Sequence, residues 1–220
     1  VTAGFLGIEK KFYDTAKVLT TVGAPADATG GEYDPGVPAA TTLISTPAVG
    51  DSEQNREGKK INILSVEVEG IVRTATAELI ANPPAACDVM VALVLDTQTN
   101  GANMNSEDCY KNLSAEASQA ANPTRNLLFA TRFRVLKSKI FKLTPPSLSH
   151  FAVDSFAYPG VSRTFKWFLN FPKGLPVSFN AGVTADVANV IDNSLHIIAF
   201  ANTNSPAPQI GYNARVRFVG

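Results

Sequence analysis

The feature that most constrains this chain is a hydrophobic period of two. "SRTFKWFLNF" sets Phe165, Trp167, Leu169 and Phe171 on one side and Thr164, Lys166 and Asn170 on the other. "YNARVRFVG" does the same, with Tyr212, Ala214, Val216 and Phe218 opposite Asn213, Arg215 and Arg217. Successive strand side chains point to opposite faces, so each stretch is a strand with one buried side. In "KKINILSVEVEGIVR", Ile61 and Ile63 hold one phase while Val66, Val68 and Val72 hold the other. The slip at Leu64–Ser65 predicts a bulge in a long, bent strand. "VMVALVL" (Val89–Leu95) and "LHIIAFA" (Leu195–Ala201) are unbroken apolar runs, expected of central strands buried on both faces.

Eight strands follow from this pattern, over about 9–22, 59–74, 87–96, 130–143, 163–172, 176–180, 194–203 and 211–219. Helix is scarce. "SEDCYKNL" predicts two turns capped by Ser106, with Glu107 and Asp108 in the first turn where the dipole favours them. "ADVANVID" predicts a short turn with Val187, Val190 and Ile191 on one face. The connections over 23–58, 97–128 and 144–162 are long, and 23–58 is rich in Pro and Gly with no period. Such a loop in a compact domain is expected to be functional or to pack against a partner. No repeat or Gly/Ser linker divides the chain. The expectation is one all-β domain over residues 1–220. Strands joined by long crossings rather than tight hairpins predict an eight-stranded jelly-roll sandwich: two packed antiparallel sheets, long loops and one or two short helices.

Composition sets the function classes. Folded as one domain, a chain of this length buries roughly 70–75% of its unfolded surface, so it needs no metal or disulfide for stability. Only 17% of residues are charged, below the usual quarter, which points to surface covered by self-association. Nineteen basic and nineteen acidic residues cancel, so no net field draws the chain to nucleic acid or to an anionic membrane. No signal peptide and no long apolar run appears, and no membrane insertion is expected. Cys87 and Cys109 have no C-x-x-C spacing. They read as free, packed thiols, consistent with intracellular assembly.

The motifs that could carry chemistry are few. "DTQTNGANMNSE" fits a calcium loop with one substitution, placing Asp96, Gln98, Asn100 and Glu107 as ligands. A calcium hand needs a helix before its loop, however, and the entry here is the strand "VMVALVL". The Asn-Gly pair instead supplies positions tolerant of positive φ, so the stretch reads as the exit turn of a strand. His196 lies in an apolar strand and reads as a core residue, and His150 stands alone in a loop. There is no nucleophile elbow, phosphate loop or dinucleotide fingerprint. No enzyme, cofactor or metal site is expected. The stripe Phe165, Trp167, Leu169 and Phe171 reads as a core face rather than a base-stacking platform. The Asn-Leu-Ser at Asn112 is a formal glycosylation site without a secretory context.

Seven stretches, in order, resemble the capsid proteins of circular Rep-encoding single-stranded DNA viruses, the circovirus-like group. They are "GKKINILSVEVEGIV", "VALVLDTQTNGA", "ATRFRVLKSKIFKL", "FKWFLNF", "GLPVSFNAG", "IDNSLHIIAFANT" and "ARVRFVG", with "KKFYDTA" as a weaker match near the start. The resemblance implies a jelly-roll subunit that assembles with itself, about sixty copies closing a small T=1-like icosahedral shell. It implies viral single-stranded DNA as the enclosed partner, a virion location, and assembly in the host nucleus. It also implies an Arg-rich arm ahead of the jelly roll that neutralises genome phosphates. No such arm is present in this sequence, so it was removed, cleaved or never belonged to it. The host receptor is not specified by any motif.

Without that arm, a neutral domain is expected to bind single-stranded DNA weakly, since affinity scales with phosphate contacts made by Lys and Arg. The candidates for local contact are Arg132, Arg134, Lys137, Lys139 and Lys142 in the densest basic stretch, Arg215 and Arg217 on one strand face, and Lys10 and Lys11. The competing reading makes these solvated or interfacial charges. Two other function classes stand beside a coat protein: a lectin-like or other ligand-binding jelly roll, and a jelly-roll enzyme.

Overall fold

The computed structural model describes residues 10–22, 43–74, 86–102, 104, 109–111, 124–144, 160–202 and 208–220. Its strands are β1 (Lys11–Thr21), β2 (Lys60–Arg73), β3 (Cys87–Asp96), β4 (Tyr110–Lys111), β5 (Thr124–Arg125), β6 (Phe133–Leu143), β7 (Ser162–Ser178), β8 (Ser194–Ala201) and β9 (Gln209–Val219). One sheet has the order β1-β9-β2-β7, a second the order β6-β3-β8, and β4 pairs with β5. All pairings are antiparallel. Along the free side of β8 runs the segment 43–46. Leu43 bridges His196, the Ile44 N–H donates to the Leu195 carbonyl at 2.9 Å, and the Leu195 N–H donates to Ser45 Oγ at 3.0 Å. With that segment in the fourth position, the second sheet reads 43–46, β8, β3, β6. Apart from the step from β3 to β6, successive long elements alternate between the sheets, and the first long strand lies beside the last. This is the jelly-roll order.

The eight expected strands need one correction. Residues 163–172 and 176–180 are not two strands but one, β7, paired with β2 along its length. The register jumps from Ile63↔Leu175 to Ser65↔Asn170, so "FPKG" (residues 171–174) bulges out where β2 slips at Leu64. Gly174 sits there at φ +74°. Pro172 and Pro176 are tolerated because β7 is the edge of its sheet. The eighth position is filled instead by 43–46. Of the helix expected over "SEDCYKNL", Cys109 is helical, while Tyr110–Lys111 is extended and paired with Thr124–Arg125. Ser106 and Glu107 lie outside the described residues. The turn in "ADVANVID" forms as a single 3₁₀ turn, Val187–Asn189, whose cap Asp186 accepts from the Ala188 N–H at 3.1 Å. A 3₁₀ turn aligns positions i and i+3, so Val187 and Val190 are buried while Ile191 faces out.

The main core lies between the sheets. Ile61, Ile63, Val66, Val68 and Val72 of β2 and Tyr212, Ala214, Val216 and Phe218 of β9 meet Val89, Val91, Leu93, Leu195 and Ile197 from the other sheet. A second cluster covers the opposite face of β3 and β8. There Met90, Ala92, Val94, Ile198 and Phe200 pack under Met104, Cys109, Tyr110 and Phe133. Every residue of β8 is buried, and all of β3 but Asp88. Cys87 and Cys109 form no disulfide, are buried and lie in different clusters, and burial pushes the Cys87 thiol up to about 11.

Of the segment 23–58, expected to be functional or to pack against a partner, residues 23–42 lie outside the described residues, and 43–58 is pinned to its own chain. Arg56 is the reason. It is 1% exposed, and its guanidinium donates to the carbonyls of Pro47 (3.2 Å), Gly58 and Gly182 (2.6 Å). Its Cζ lies 4.3 Å from the centre of the Phe179 ring. Among the described residues no carboxylate pairs with it, and burial holds its pKa below the usual arginine value. A planar fork of donors reaches three carbonyls at once, which an ammonium cannot do. Arg56→Lys is therefore expected to destabilise the fold by about 1–3 kcal/mol, the cost of buried carbonyls left unpaired. Urea unfolding followed by Trp167 emission checks this; an unchanged midpoint would show that the pin is dispensable.

Candidate assembly and nucleic-acid surfaces

The outer face of the four-stranded sheet carries a ladder of ion pairs across all four strands. On β1 and β9, Arg215 clamps Asp14 with two hydrogen bonds of 2.7 Å and lies over the Phe12 ring at 5.0 Å. On β9 and β2, Arg217 is 3.6 Å from Glu67. On β7, Lys166 reaches both Glu67 (3.0 Å) and Glu69. The hydrogen bond from Arg215 holds the Asp14 carboxyl below its ordinary value, and Lys166 does the same for Glu67. Three cations meet three carboxylates, so the ladder itself carries no net charge. Arg215 and Arg217 are brought together as the sequence predicts, but each is engaged by an acid. Phe168 stands beside them, 56% exposed. The strand's alternation assigns that face to polar residues, which hides Phe168 in the sequence.

The basic stretch lies on β6, an edge strand. Arg132, just before it, is an internal group: it donates from Nε and Nη2 to both oxygens of buried Asp96, each at 2.9 Å. Arg134, Lys137, Lys139 and Lys142 are exposed, and none pairs with a carboxylate among the described residues. Of the pair near the start, Lys10 is exposed. Lys11 is 3% exposed in its side chain and lies 2.5 Å from Glu57. The basic candidates thus fall into separate groups rather than one patch.

Asp96 sits where the calcium loop would begin, and its oxygens are taken. Besides Arg132, Oδ1 accepts the Gln98 N–H at 2.9 Å. Asn100 and Gly101 adopt φ +50° and +72°, as an exit turn requires. Among the described residues no three His, Cys, Asp or Glu side chains group closely enough to hold a metal; Glu107 lies outside them. The turn is tied to β8 by a buried polar chain: Thr99 Oγ1 is 2.6 Å from Ser194 Oγ, which is 2.7 Å from His196 Nε2. His196 is fully buried and its Nδ1 has no partner. Burial pushes its pKa down to about 4, with the Arg132 charge adding to the drop and Asp96 opposing it. A serine and histidine sealed from solvent cannot meet a substrate.

An apolar knob precedes β6. Leu127 and Leu128 are 77% and 76% exposed, beside half-exposed Phe129. The knob is a 3₁₀ turn fixed at its base. Asn126 Oδ1 accepts the Leu128 N–H at 3.2 Å, the Asn126 N–H donates to the Cys109 carbonyl at 2.9 Å, and Phe129 stands edge-on to Phe133 at 6.4 Å. Its only sequence signal is an Asn followed by three apolar residues at the close of a long loop.

No family model matches the chain, and no curated protein matches it. Among solved structures it is similar to the 60-mer BFDV capsid protein. The identity is 8% over 96% of this chain and 93% of that one, with a TM-score of 0.28.

Burial of His196 makes stability depend on pH. Its folded pKa of about 4 lies below the ordinary 6.5, so the unfolded chain takes up the proton first. The stabilisation is complete above pH 6.5 and drains away as pH falls toward 4, on the order of 3 kcal/mol in all. His196→Gln is expected to flatten this part of the stability profile, measured by urea unfolding at stepped pH. Equal slopes for the two proteins would remove His196 as the cause.

Proposed function

We propose that this chain is a viral coat subunit, a single jelly-roll unit over residues 1–220. It assembles with itself into a small icosahedral, T=1-like shell around a circular single-stranded DNA genome. The carrying observation is the order of the strands. The stretches whose sequences resemble circovirus-like capsid proteins fall on β1, β2, β3, β6, β7, β8 and β9 in turn, and those strands take jelly-roll positions. The register supports the loop arrangement such a subunit uses. β1, β2, β6 and β8 finish at one end of the sandwich, and 43–58, 97–102, 126–132 and 179–193 adjoin the other ends of the strands they connect.

Self-association is supported by the knob. Two leucines more than three-quarters exposed on a rigid turn have little reason to face water, and a pre-formed turn loses little entropy on docking. The low charge share fits the same reading. No enzymatic role is proposed. Among the described residues no helix is long and apolar enough to cross a membrane. Virion location and nuclear assembly belong to this reading as well.

The knob tests the proposal. Leu127→Glu with Leu128→Glu is expected to leave melting within about 0.5 kcal/mol, as surface changes do, while abolishing shells in light scattering and negative-stain images. Wild-type protein that stays strictly monomeric at high concentration and varied salt would overturn the coat reading. Shells formed normally by the double variant would move the contact elsewhere.

A further inference from the structure

We infer that the seam between the edge strands β6 and β7 is a groove for single-stranded nucleic acid, in which Arg134, Lys137 and Lys139 meet phosphates and Trp167 stacks on a base. This deepens the coat reading and rests on it only for the choice of a single-stranded partner.

The first observation is a change of phase in β6. Its register with β3 runs Leu95↔Arg134 and Val94↔Val135, then Leu93↔Lys137 and Val91↔Lys139. Leu136 is an extra residue, a bulge. Without it, Arg134 and Lys137 would point to opposite faces. With it, Arg134, Lys137 and Lys139 share one side, the side toward β7, because they pair with the core-facing Leu95, Leu93 and Val91. Lys137 and Lys139 are then about 7 Å apart along the strand.

The second observation is what lines the other bank. β6 begins, and β7 ends, at the end of the sandwich that holds Asp96 and Ser194. The two strands therefore run antiparallel across the seam without sharing hydrogen bonds. An aromatic series crosses it. Lys139 Nζ lies 4.9 Å from the Phe141 ring centre, Phe141 packs on Phe165 at 5.6 Å, and Phe165 packs on Trp167 at 4.9 Å. Trp167, Leu169 and Phe171 follow along β7, all only partly buried. The stripe that alternation assigns to the core is thus core at Phe165 and open-sided beyond it.

The third observation is charge. Elsewhere Arg215, Arg217, Lys166, Arg132 and Lys11 each lie against a carboxylate. Among the described residues Arg134, Lys137 and Lys139 lie against none, and they are the ones that a single strand gathers on one side. Lysines on an edge strand also guard against strand pairing between molecules, but that task does not require a bulge that gathers them beside an aromatic bank. Cations with no acid partner among the described residues, beside a partly buried indole, are the pairing that single strands use, with phosphates on the cations and bases on the ring.

The chain has one tryptophan, so its emission reports on the groove directly. A labelled oligo-dT of about twelve nucleotides is titrated into the full chain at about 50 mM salt. An abasic strand of equal length and a duplex are titrated in parallel. Weak, saturable, salt-sensitive binding that quenches Trp167 is expected for oligo-dT, with weaker binding and no quench for the abasic strand. The exposed triple variant Arg134→Gln, Lys137→Gln, Lys139→Gln is expected to lose roughly tenfold or more in affinity and to lower the salt slope by about two. Binding that leaves emission unmoved overturns the groove. So does a triple variant that binds as wild type, or equal binding of abasic or duplex DNA, which would mark a general polyanion surface. Light scattering on the same samples separates the two readings: shells without quenching sink the groove alone, and quenching without shells sinks the coat.

Discussion

The constraint on which the rest of this structure depends is that two strands of its smaller sheet, β3 and β8, are dry on both faces. One face of β3 and β8 is covered by the larger sheet, and the other must be covered from within the chain. Met104, Cys109, Tyr110 and Phe133 do this. Polar groups buried beside this apolar floor need partners. Asp96 and Arg132 pair at the end of β3, and Thr99, Ser194 and His196 tie the exit turn to β8. A buried ion pair of this kind adds little net stability, but losing either partner strands the other. It works as a register lock: it fixes where β6 starts relative to β3.

The same logic explains Arg56. Its three carbonyl acceptors come from 47, 58 and 182, on two segments far apart in sequence. Irregular backbone cannot satisfy its carbonyls in a ladder, and one guanidinium replaces several strand contacts. The Pro- and Gly-rich composition of this region reads as a loop, and it is one, but a loop pinned from inside.

Much of the fold was legible because a sheet with one wet face must alternate. β2, β7 and β9 announced themselves in this way, and the slip at Leu64 marked the bulge because a phase change has few other causes. The unbroken runs of β3 and β8 signalled double-sided burial. The Asn-Gly turn was legible because few residues accept positive φ. What was hidden depends on pairings distant in sequence. Arg132 reads like its basic neighbours until the register places it against Asp96, and Lys11 reads like Lys10 until Glu57 is seen beside it. The "FPKG" bulge looked like a break between strands because proline usually ends one, and only the edge position of β7 allows it. The Leu136 bulge was masked by β6's mixed pattern, in which basic residues occur on both phases.

The surfaces divide by how far each satisfies itself. On the outer face of the larger sheet three cations are paired with three carboxylates, so that ladder offers a polyanion little. The knob at Leu127–Phe129 is the reverse: apolar, rigid and uncovered. Removing such a group from water gains roughly 25 cal/mol per Å², and little of that is given back in ordering a turn that is already fixed. The β6–β7 seam is different again, with cations that meet no acid among the described residues beside aromatic rings lacking full cover. A sandwich has two open sides where its sheets do not meet, and the chain need not fill both for stability. The Leu136 bulge sets Phe133 in one core cluster and Phe141 and Leu143 in the other, and by the same change of phase it turns three cations toward the open side. A departure from regular pairing that two cores require thus also shapes the surface offered to a ligand.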